Sequence, residues 1–254
     1  PGTKSVYFLA SRMAAIRAGM ENAEDIAYVD SMKYSGDAGD ALKTRFGITA
    51  DNRKGGERSR EIIAKAVTQR GHYNRYIEKL SIQDGDIAIF DFVAKGTMQM
   101  YLQKLFPQRM KGFYFLQLEP GFMADKGLDI QPFYSDEEKD TSMIFDSYYI
   151  LEAILTSPYP QTEEFDGDGN PVFAAETRSR EDIRCLERAQ KGILAYFEDY
   201  LRILPEKARE ENKNLDESFL ALVNKVQIKD ESFLALEIED PFFGRITDMK
   251  DMLG

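Results

Sequence analysis

The sequence predicts an α/β protein: a Rossmann-like three-layer domain with a mostly parallel sheet and a helical C-terminal appendage. Apolar runs typical of buried strands alternate with amphipathic stretches typical of helices. The segment from Ile87 to Leu118 has the order apolar run, glycine-bearing loop, amphipathic helix, apolar run, which is typical of a βαβ unit. A charged stretch, Pro205 to Glu217, then separates the tail from the rest. We therefore expect an α/β domain over residues 1–204 and the appendage over residues 205–254.

Three apolar runs are the predicted strands of the sheet: Ser5 to Ala10, Ile87 to Phe92 and Gly112 to Leu118. A predicted helix from Thr97 to Phe106 joins the last two. Because a crossover helix between neighbouring strands makes them parallel, we expect these two strands to run in the same direction.

Helices are also predicted where apolar residues recur at helical spacing, and a hairpin is predicted around Asp-Gly and Gly-Asn turns. The helices cover about Glu61 to Leu80, Thr141 to Leu155 and Ser179 to Leu204, and the hairpin lies within Tyr159 to Glu176.

The tail contains the sequence DESFLAL twice, at Asp216 to Leu222 and at Asp230 to Leu236. Two copies are too few for a solenoid, so we interpret the tail as a small helical subdomain. The apolar segment PFFG, Pro241 to Gly244, is either packed within this tail or an exposed patch for a partner.

Composition limits the classes of function. The chain has 254 residues, 43% of them hydrophobic, and a formal net charge of −11, which argues against nucleic acid as a partner. Neither a membrane-spanning run nor a signal-peptide pattern is visible, so we expect a cytoplasmic protein without a membrane span. One cysteine and one histidine exclude an internal disulfide and zinc sites built on several such ligands. The cofactor stays open, and Mg²⁺ held by carboxylates is compatible with the composition.

The loop after the second predicted strand contains the main candidate site. In a parallel sheet, ligands bind outside the carboxyl ends of the strands, and the N-terminus of the following helix attracts anions. Asp91 is the candidate catalytic residue, placed to hold a hydroxyl group or a metal ion. Lys95, Gly96, Thr97 and Gln99 are candidate ligand-binding residues, because a lysine and a glycine-led helix start suit a phosphate. The alternative is purely structural, with Asp91 capping a loop and Gly96 serving a turn.

Arg12 is a further candidate ligand-binding residue. It follows the first predicted strand, so it is expected at the same edge of the sheet as Asp91. Its guanidinium suits bidentate binding of a diphosphate or a sugar acid. A structural salt bridge is the alternative.

The chain contains none of three known motifs in full. The P-loop string is absent. Asp166 and Asp168 have the spacing of the haloacid dehalogenase nucleophile motif, but Asn170 follows them and a hairpin turn explains the run. The segment IAIFDFVAKGTM is similar to the phosphoribosyltransferase loop, although Phe92 stands where the second acid is expected. A phosphoribosyltransferase-like enzyme therefore stays an alternative.

A second resemblance, to a family of proteins, covers a larger part of the chain than these motifs do. The segments YFLASRMAAIRAGM, DFVAKGTMQ, EAILTSP, DGNPVF and QKGI occur in the order found in a family of bacterial proteins. The chain resembles the C-terminal region of haloacid dehalogenase-linked, glycosyltransferase-associated proteins of surface-polysaccharide biosynthesis. The resemblance spans about Ser5 to Leu204 and places Asp91, Gly96, Thr97 and Gln99 in register. Met13 and the residues from Phe92 to Lys95 depart from the family pattern.

The resemblance implies a cytoplasmic domain that acts on a phosphorylated or nucleotide-linked sugar, as a transferase or beside one. It implies a glycosyltransferase or a haloacid dehalogenase-like domain as partner, the latter before Pro1 in a longer protein. A non-catalytic module that docks a partner enzyme is the remaining alternative.

Overall fold

The computed structural model describes residues 6–49, 55–82, 85–142, 144–203, 229–240 and 242–253. Its helices are α1 Arg12–Gly19, α2 Ala23–Asp30, α3 Ala38–Phe46, α4 Gly55–Lys79, α5 Thr97–Leu102, α6 Pro120–Asp125, α7 Ile144–Ile154, α8 Arg180–Ile203, α9 Glu231–Leu234 and α10 Met249–Leu253. Its strands are β1 Ile87–Ala94, β2 Met110–Gln117, β3 Asp129–Ser135, β4 Thr162–Phe165, β5 Pro171–Phe173, β6 Glu237–Asp240 and β7 Arg245–Asp248. The charged segment Pro205 to Glu217 and the first DESFLAL copy lie outside the described residues.

The predicted βαβ unit is confirmed. Strands β1 and β2 pair in parallel, with Ile87 opposite Met110 and Ala94 opposite Gln117, and α5 connects them. Alternate residues of β2 are buried, including Met110, Tyr114 and Leu116. The burial follows the two-residue period of a strand with one face against helices.

The third strand differs from the prediction. Strand β3 lies beside β2, so the sheet order is β1-β2-β3. The predicted strand Ser5 to Ala10 is wrong, because residues 6–10 form no strand. Side chains of α4 bind this segment instead: the Leu9 N–H donates to the Tyr76 hydroxyl over 2.7 Å, and the Phe8 ring stacks on Tyr73. Phe8, Leu9 and Ala10 are thus half-buried here without sheet pairing, whereas Val6 and Tyr7 are exposed.

The protein is a mixed α/β structure with a three-stranded parallel sheet. Helix α1 is buried over most of its length and contacts α3, α4, α5 and β4, so it is the centre of the larger core. The opposite face of the sheet carries Phe90, which is 73% exposed, and its register neighbour Phe113. The sheet has only three strands among the described residues, so the Rossmann-like three-layer arrangement stays a prediction.

The predicted hairpin is confirmed as antiparallel strands β4 and β5. The Asp166 carboxylate accepts hydrogen bonds from the backbone N–H groups of Asp168 and Asn170, and Gly169 takes a positive φ of 74°. The two-aspartate spacing therefore belongs to a tight turn.

Contacts divide the chain into two compact units. Unit 1 comprises Pro1–Tyr134, Pro160–Ala175 and Glu239–Arg245. Unit 2 comprises Ser135–Tyr159, Glu176–Ile238 and Ile246–Gly254. Helix α8 thus belongs to unit 2, whereas the sequence placed it in the α/β domain; the predicted boundary near residue 204 falls among residues outside the description.

A hydrophobic cluster in unit 2 includes Leu236 of the second DESFLAL copy. Its buried residues are Ala153, Leu186, Leu236 and Met249. Asp230 caps α9 by accepting a hydrogen bond from the Phe233 N–H. The described part of the appendage contains a two-stranded sheet, β6 and β7, as well as helices. Within the described ranges, none of the helices combines the length and apolarity needed to cross a bilayer.

Candidate functional site

Asp91 lies inside a strand and not at its end. Strand β1 continues to Ala94, two residues beyond the predicted end at Phe92. The Asp91 side chain is half-buried and accepts a 2.9 Å hydrogen bond from the Phe92 N–H. Since alternate side chains of a strand share a face, Asp91 lies on the same face as Ile89 and Val93.

Burial changes the pKa of the Asp91 carboxyl group. Loss of solvent raises the pKa of Asp91 to about 6, although the Phe92 N–H and the Arg12 guanidinium both lower it. A carboxyl group with this pKa exchanges protons near neutral pH, which is the property required of a general base or acid. The pKa values of two other carboxyl groups are also raised, that of Asp30 chiefly by burial and that of Asp40 chiefly by its hydrogen bond with Asp37.

Arg12 is the cation that acts on Asp91. It begins α1, after Ser11, whose hydroxyl caps the helix by accepting from the Ala14 N–H. The Arg12 guanidinium lies 3.5 Å from the Asp240 carboxylate. It also lies over the rings of Phe242 and Phe243, at 5.2 and 5.0 Å from their centroids. The salt bridge named as the alternative for Arg12 is present, and its partner comes from the C-terminal segment of unit 1.

Tyr114 is opposite Asp91 in the strand register. It is buried, and both burial and the Asp91 charge raise the pKa of the Tyr114 phenol. The phenol therefore stays neutral and donates a 2.8 Å hydrogen bond to the Gln99 side-chain oxygen.

The side chain of Gln99 forms its hydrogen bonds inside the protein. It is fully buried, and its amide nitrogen donates to the carbonyl oxygens of Asp129 and Met110, at 3.1 and 3.4 Å. A side-chain carbon added at Gly112 would lie 2.2 Å from the Gln99 oxygen, so the glycine leaves the space that Gln99 fills. Its bonds join α5 to β2 and β3.

Gly96 and Thr97 are also surrounded by protein. Gly96 has φ of +107°, and an added side-chain carbon would lie 3.0 Å from Ile130 and 3.2 Å from Leu128. Thr97 is buried, with its hydroxyl 3.3 Å from that of Tyr28. Helix α5 has six residues, so its dipole contributes little to anion binding.

Lys95 lies at the carboxyl end of β1 and pairs with Glu119, which follows β2. Both side chains are about half exposed. Glu119 has φ of +50°, a left-handed conformation that is uncommon for a residue other than glycine. Because Lys95 follows β1 and Glu119 follows β2, their ion pair connects the loops after two neighbouring parallel strands.

The structure thus places the six predicted site residues in two groups. Asp91 and Arg12 interact electrostatically, and Lys95 lies on the loop after β1. Gly96, Thr97 and Gln99 pack in the interior and support the sheet. Among the described residues, no group of three or more His, Cys, Asp or Glu side chains is arranged to hold a metal ion.

Two surface cavities lie away from Asp91, at the amino ends of the strands. The first, of about 380 Å³, is lined in part by Lys104, Arg109 and Lys126, and the second, of about 370 Å³, in part by Asp86 and Arg109. Neither is lined by Asp91 or Arg12. A ligand at Asp91 therefore needs an open surface site, or movement of the side chains that cover it.

Sequence reasoning missed the contacts of Arg12 with Asp240 and Phe242. These residues are separated from Arg12 by most of the chain, and no local pattern indicates that they meet. The apolar segment PFFG was the available signal. The sequence offered packing within the tail or an exposed patch, whereas Phe242 is fully buried in the core of unit 1. The proximity of Tyr114 to Asp91 follows from the strand register, which the βαβ pattern alone does not fix.

Comparison with known proteins yields no match among protein-family profiles, curated proteins or solved structures.

Proposed function

We propose that unit 1 binds a phosphorylated or nucleotide-linked sugar, as a glycosyltransferase-associated domain of bacterial surface-polysaccharide synthesis. The observation that carries the proposal is Asp91, which has a pKa of about 6 and interacts electrostatically with the Arg12 guanidinium. A carboxylate of this proton affinity accepts a hydrogen bond, or a proton, from a sugar hydroxyl. A guanidinium at the same place pairs with a phosphate. The order of the family-like segments supports the choice of this substrate class.

In Rossmann-like proteins the ligand binds beyond the carboxyl ends of parallel strands. Here the ligand is expected towards the carboxyl-terminal half of β1, where it reaches both Asp91 within the strand and Lys95 after it. Lys95 joins the site when a phosphate replaces Glu119 as its partner. Arg12 likewise exchanges Asp240 for the ligand. Since both ion pairs are partly exposed, solvent screening makes each exchange cost little. A Mg²⁺ ion, where needed, is expected to accompany the diphosphate, since magnesium is often held jointly by protein carboxylates and substrate phosphates.

Calorimetry with a panel of nucleotide sugars, with and without Mg²⁺, tests the proposal. Asp91→Asn and Arg12→Gln are each expected to weaken binding by about tenfold or more, because a charge-assisted hydrogen bond contributes about 1.5–3 kcal/mol. Asp86→Asn and Arg109→Gln are the matched controls, because these exposed side chains lie at the amino ends of β1 and β2. They are expected to bind like the wild type.

Asp240→Asn is expected to have the opposite effect on binding affinity. Removing the acid that competes for Arg12 is expected to tighten phosphate binding by about two- to fivefold, the range of an exposed ion pair. Equal affinity in the Asp91, Arg12 and control variants would place the ligand elsewhere.

Phosphoribosyl pyrophosphate belongs in the same panel, because the loop around Asp91 is similar to the phosphoribosyltransferase loop. Binding of this compound alone favours a phosphoribosyltransferase-like enzyme. Binding of no compound favours the partner-docking module, with a glycosyltransferase or a haloacid dehalogenase-like protein as partner.

A further inference from the structure

Arg245 shares an aromatic ring with Arg12. The Arg245 guanidinium lies over the ring of Phe243, 5.1 Å from its centroid, and the Arg12 guanidinium lies over the same ring at 5.0 Å. Because both distances end at one centroid, the two guanidinium carbons cannot be farther apart than the sum of these distances. Two arginines from opposite ends of the sequence are thus neighbours in unit 1.

The backbone beside Arg245 is firmly held. The carbonyl oxygen of Phe243 accepts a 2.9 Å hydrogen bond from the Ser35 N–H. At Gly244, φ is +60°, and an added side-chain carbon would lie 2.8 Å from the Tyr34 ring. Only glycine fits this turn without strain. Arg245 is therefore an exposed side chain that follows a fixed turn.

The two arginines differ in their acidic partners. Arg12 has the Asp240 carboxylate at 3.5 Å. Among the described residues, none of the carboxylates lies within ion-pair distance of Arg245. Two neighbouring positive charges thus have one carboxylate at ion-pair distance between them. The uncompensated charge favours an anion from solution at this place.

Two neighbouring guanidinium groups suit a diphosphate better than a single phosphate. Each guanidinium is a planar fork of N–H donors that binds two oxygens of one phosphate group. A diphosphate has two linked phosphate groups, so each group can occupy one fork. A single phosphate that fills one fork leaves the other to solvent. Since the two phosphate groups are covalently linked, binding of the first raises the effective concentration of the second.

We propose that Arg12 and Arg245 together bind the diphosphate of a nucleotide-linked sugar. This inference rests on the proposed sugar site at Asp91 and Arg12. It narrows the substrate class from phosphorylated sugars in general to sugars linked through a diphosphate. Arg245 is the specificity-determining residue, because it binds the phosphate group that a sugar monophosphate lacks.

Calorimetry of the full chain with inorganic pyrophosphate and with inorganic phosphate tests the pairing of the two arginines. The wild type is expected to bind pyrophosphate at least about tenfold more tightly than phosphate. Arg12→Gln and Arg245→Gln are each expected to lower this ratio by about five- to tenfold, because one charge-assisted contact at a partly exposed site is lost. The ratio is used because a single phosphate can occupy either arginine.

Arg188→Gln is the matched control. It removes the same charge from an exposed arginine of unit 2 and is expected to leave the ratio unchanged. Far-UV circular dichroism checks that each variant is folded. A wild type that does not prefer pyrophosphate, or a preference that survives in folded Arg245→Gln, overturns the proposal. An equal loss in Arg188→Gln also overturns it, because net charge would then explain the preference.

Uridine diphosphate glucose, as a nucleotide sugar, separates failure of this inference from failure of the proposed function. Arg245→Gln is expected to weaken its binding by about five- to tenfold. If Asp91→Asn and Arg12→Gln weaken binding and Arg245→Gln does not, the sugar site stands and the role of Arg245 is overturned. If none of the three variants changes the binding of this ligand, the sugar site is wrong, and the inference that rests on it is overturned as well.

Discussion

The hydroxyl of Tyr114 donates a 2.8 Å hydrogen bond to the side-chain oxygen of Gln99, and both side chains are buried in unit 1. The amide nitrogen of Gln99 donates at the same time to the Asp129 carbonyl. Gln99 is therefore a polar connection between α5, β2 and β3, and Tyr114 extends it towards Asp91. A buried polar connection of this kind is costly to break, because its remaining partners lose their hydrogen bonds.

Gln99→Leu is expected to lower the free energy of unfolding by about 2–4 kcal/mol. The substitution leaves the Tyr114 hydroxyl and the Asp129 carbonyl without this partner in the interior. Urea unfolding provides the measurement. Gln131→Leu, at an exposed position of β3, is the control and is expected to change stability by less than about 0.5 kcal/mol. A similar small change at Gln99 would show that its hydrogen bonds do not stabilise the fold.

Asp91 is expected to make stability depend on pH. The pKa of Asp91 is about 6 in the folded chain, against an ordinary value of 3.8. The folded state therefore holds this proton more tightly than the unfolded state does. This contribution to stability is complete below pH 3.8 and is lost as the pH rises through about 6.

Asp91→Asn removes that titration. The free energy of unfolding of the variant, minus that of the wild type, is expected to rise by up to about 3 kcal/mol between about pH 4 and about pH 7. Urea unfolding across this range measures the difference. Asp86→Asn, at an exposed position before β1, should give a flat profile. A flat profile for Asp91→Asn as well would mean that the Asp91 carboxyl titrates normally.

Gly96→Ala is expected to destabilise the protein by about 1–3 kcal/mol, because φ of +107° strains any residue with a side chain. The added carbon also crowds Ile130 and Leu128. Thermal unfolding provides the measurement. Gly121→Ala is the control, since its added carbon meets nothing within 4 Å. Equal stability of the two variants would contradict the steric argument. Because the Gly96 substitution acts on the fold, Asp91 and Arg12 variants are the better probes of binding.

Phe242→Ala is expected to lower the free energy of unfolding by about 3–5 kcal/mol. Phe242 is fully buried, with the guanidinium groups of Arg12 and Arg45 at 5.2 and 5.0 Å from its ring. Urea unfolding measures the loss. Phe173→Ala, which alters a ring that is 40% exposed, should cost much less. Comparable costs at the two positions would argue that the Phe242 segment is only loosely held on unit 1.

Local patterns in the sequence were sufficient for several elements. The βαβ unit, the β4–β5 hairpin and helix α8 follow from apolar periodicity and turn residues, which act over a few positions. Gly96 was predicted to let the backbone approach a ligand. In the structure, Ile130 and Leu128, which come from a distant strand and loop, lie beside its α-carbon. The apolar run at residues 6–10 shows the limit: the same residues suit a strand or a segment packed on α4.

Tertiary structure decided the environment of each candidate site residue. Burial gives Asp91 its raised pKa, and burial depends on residues brought from other parts of the chain. Arg12 meets Asp240 and Phe242 across more than two hundred positions, where no periodicity or spacing links them. Residue types indicated which groups carry chemistry, because charge and hydrogen-bonding capacity are intrinsic to a side chain. Which of them meet, and with what proton affinity, depends on contacts that exist only after the chain has packed.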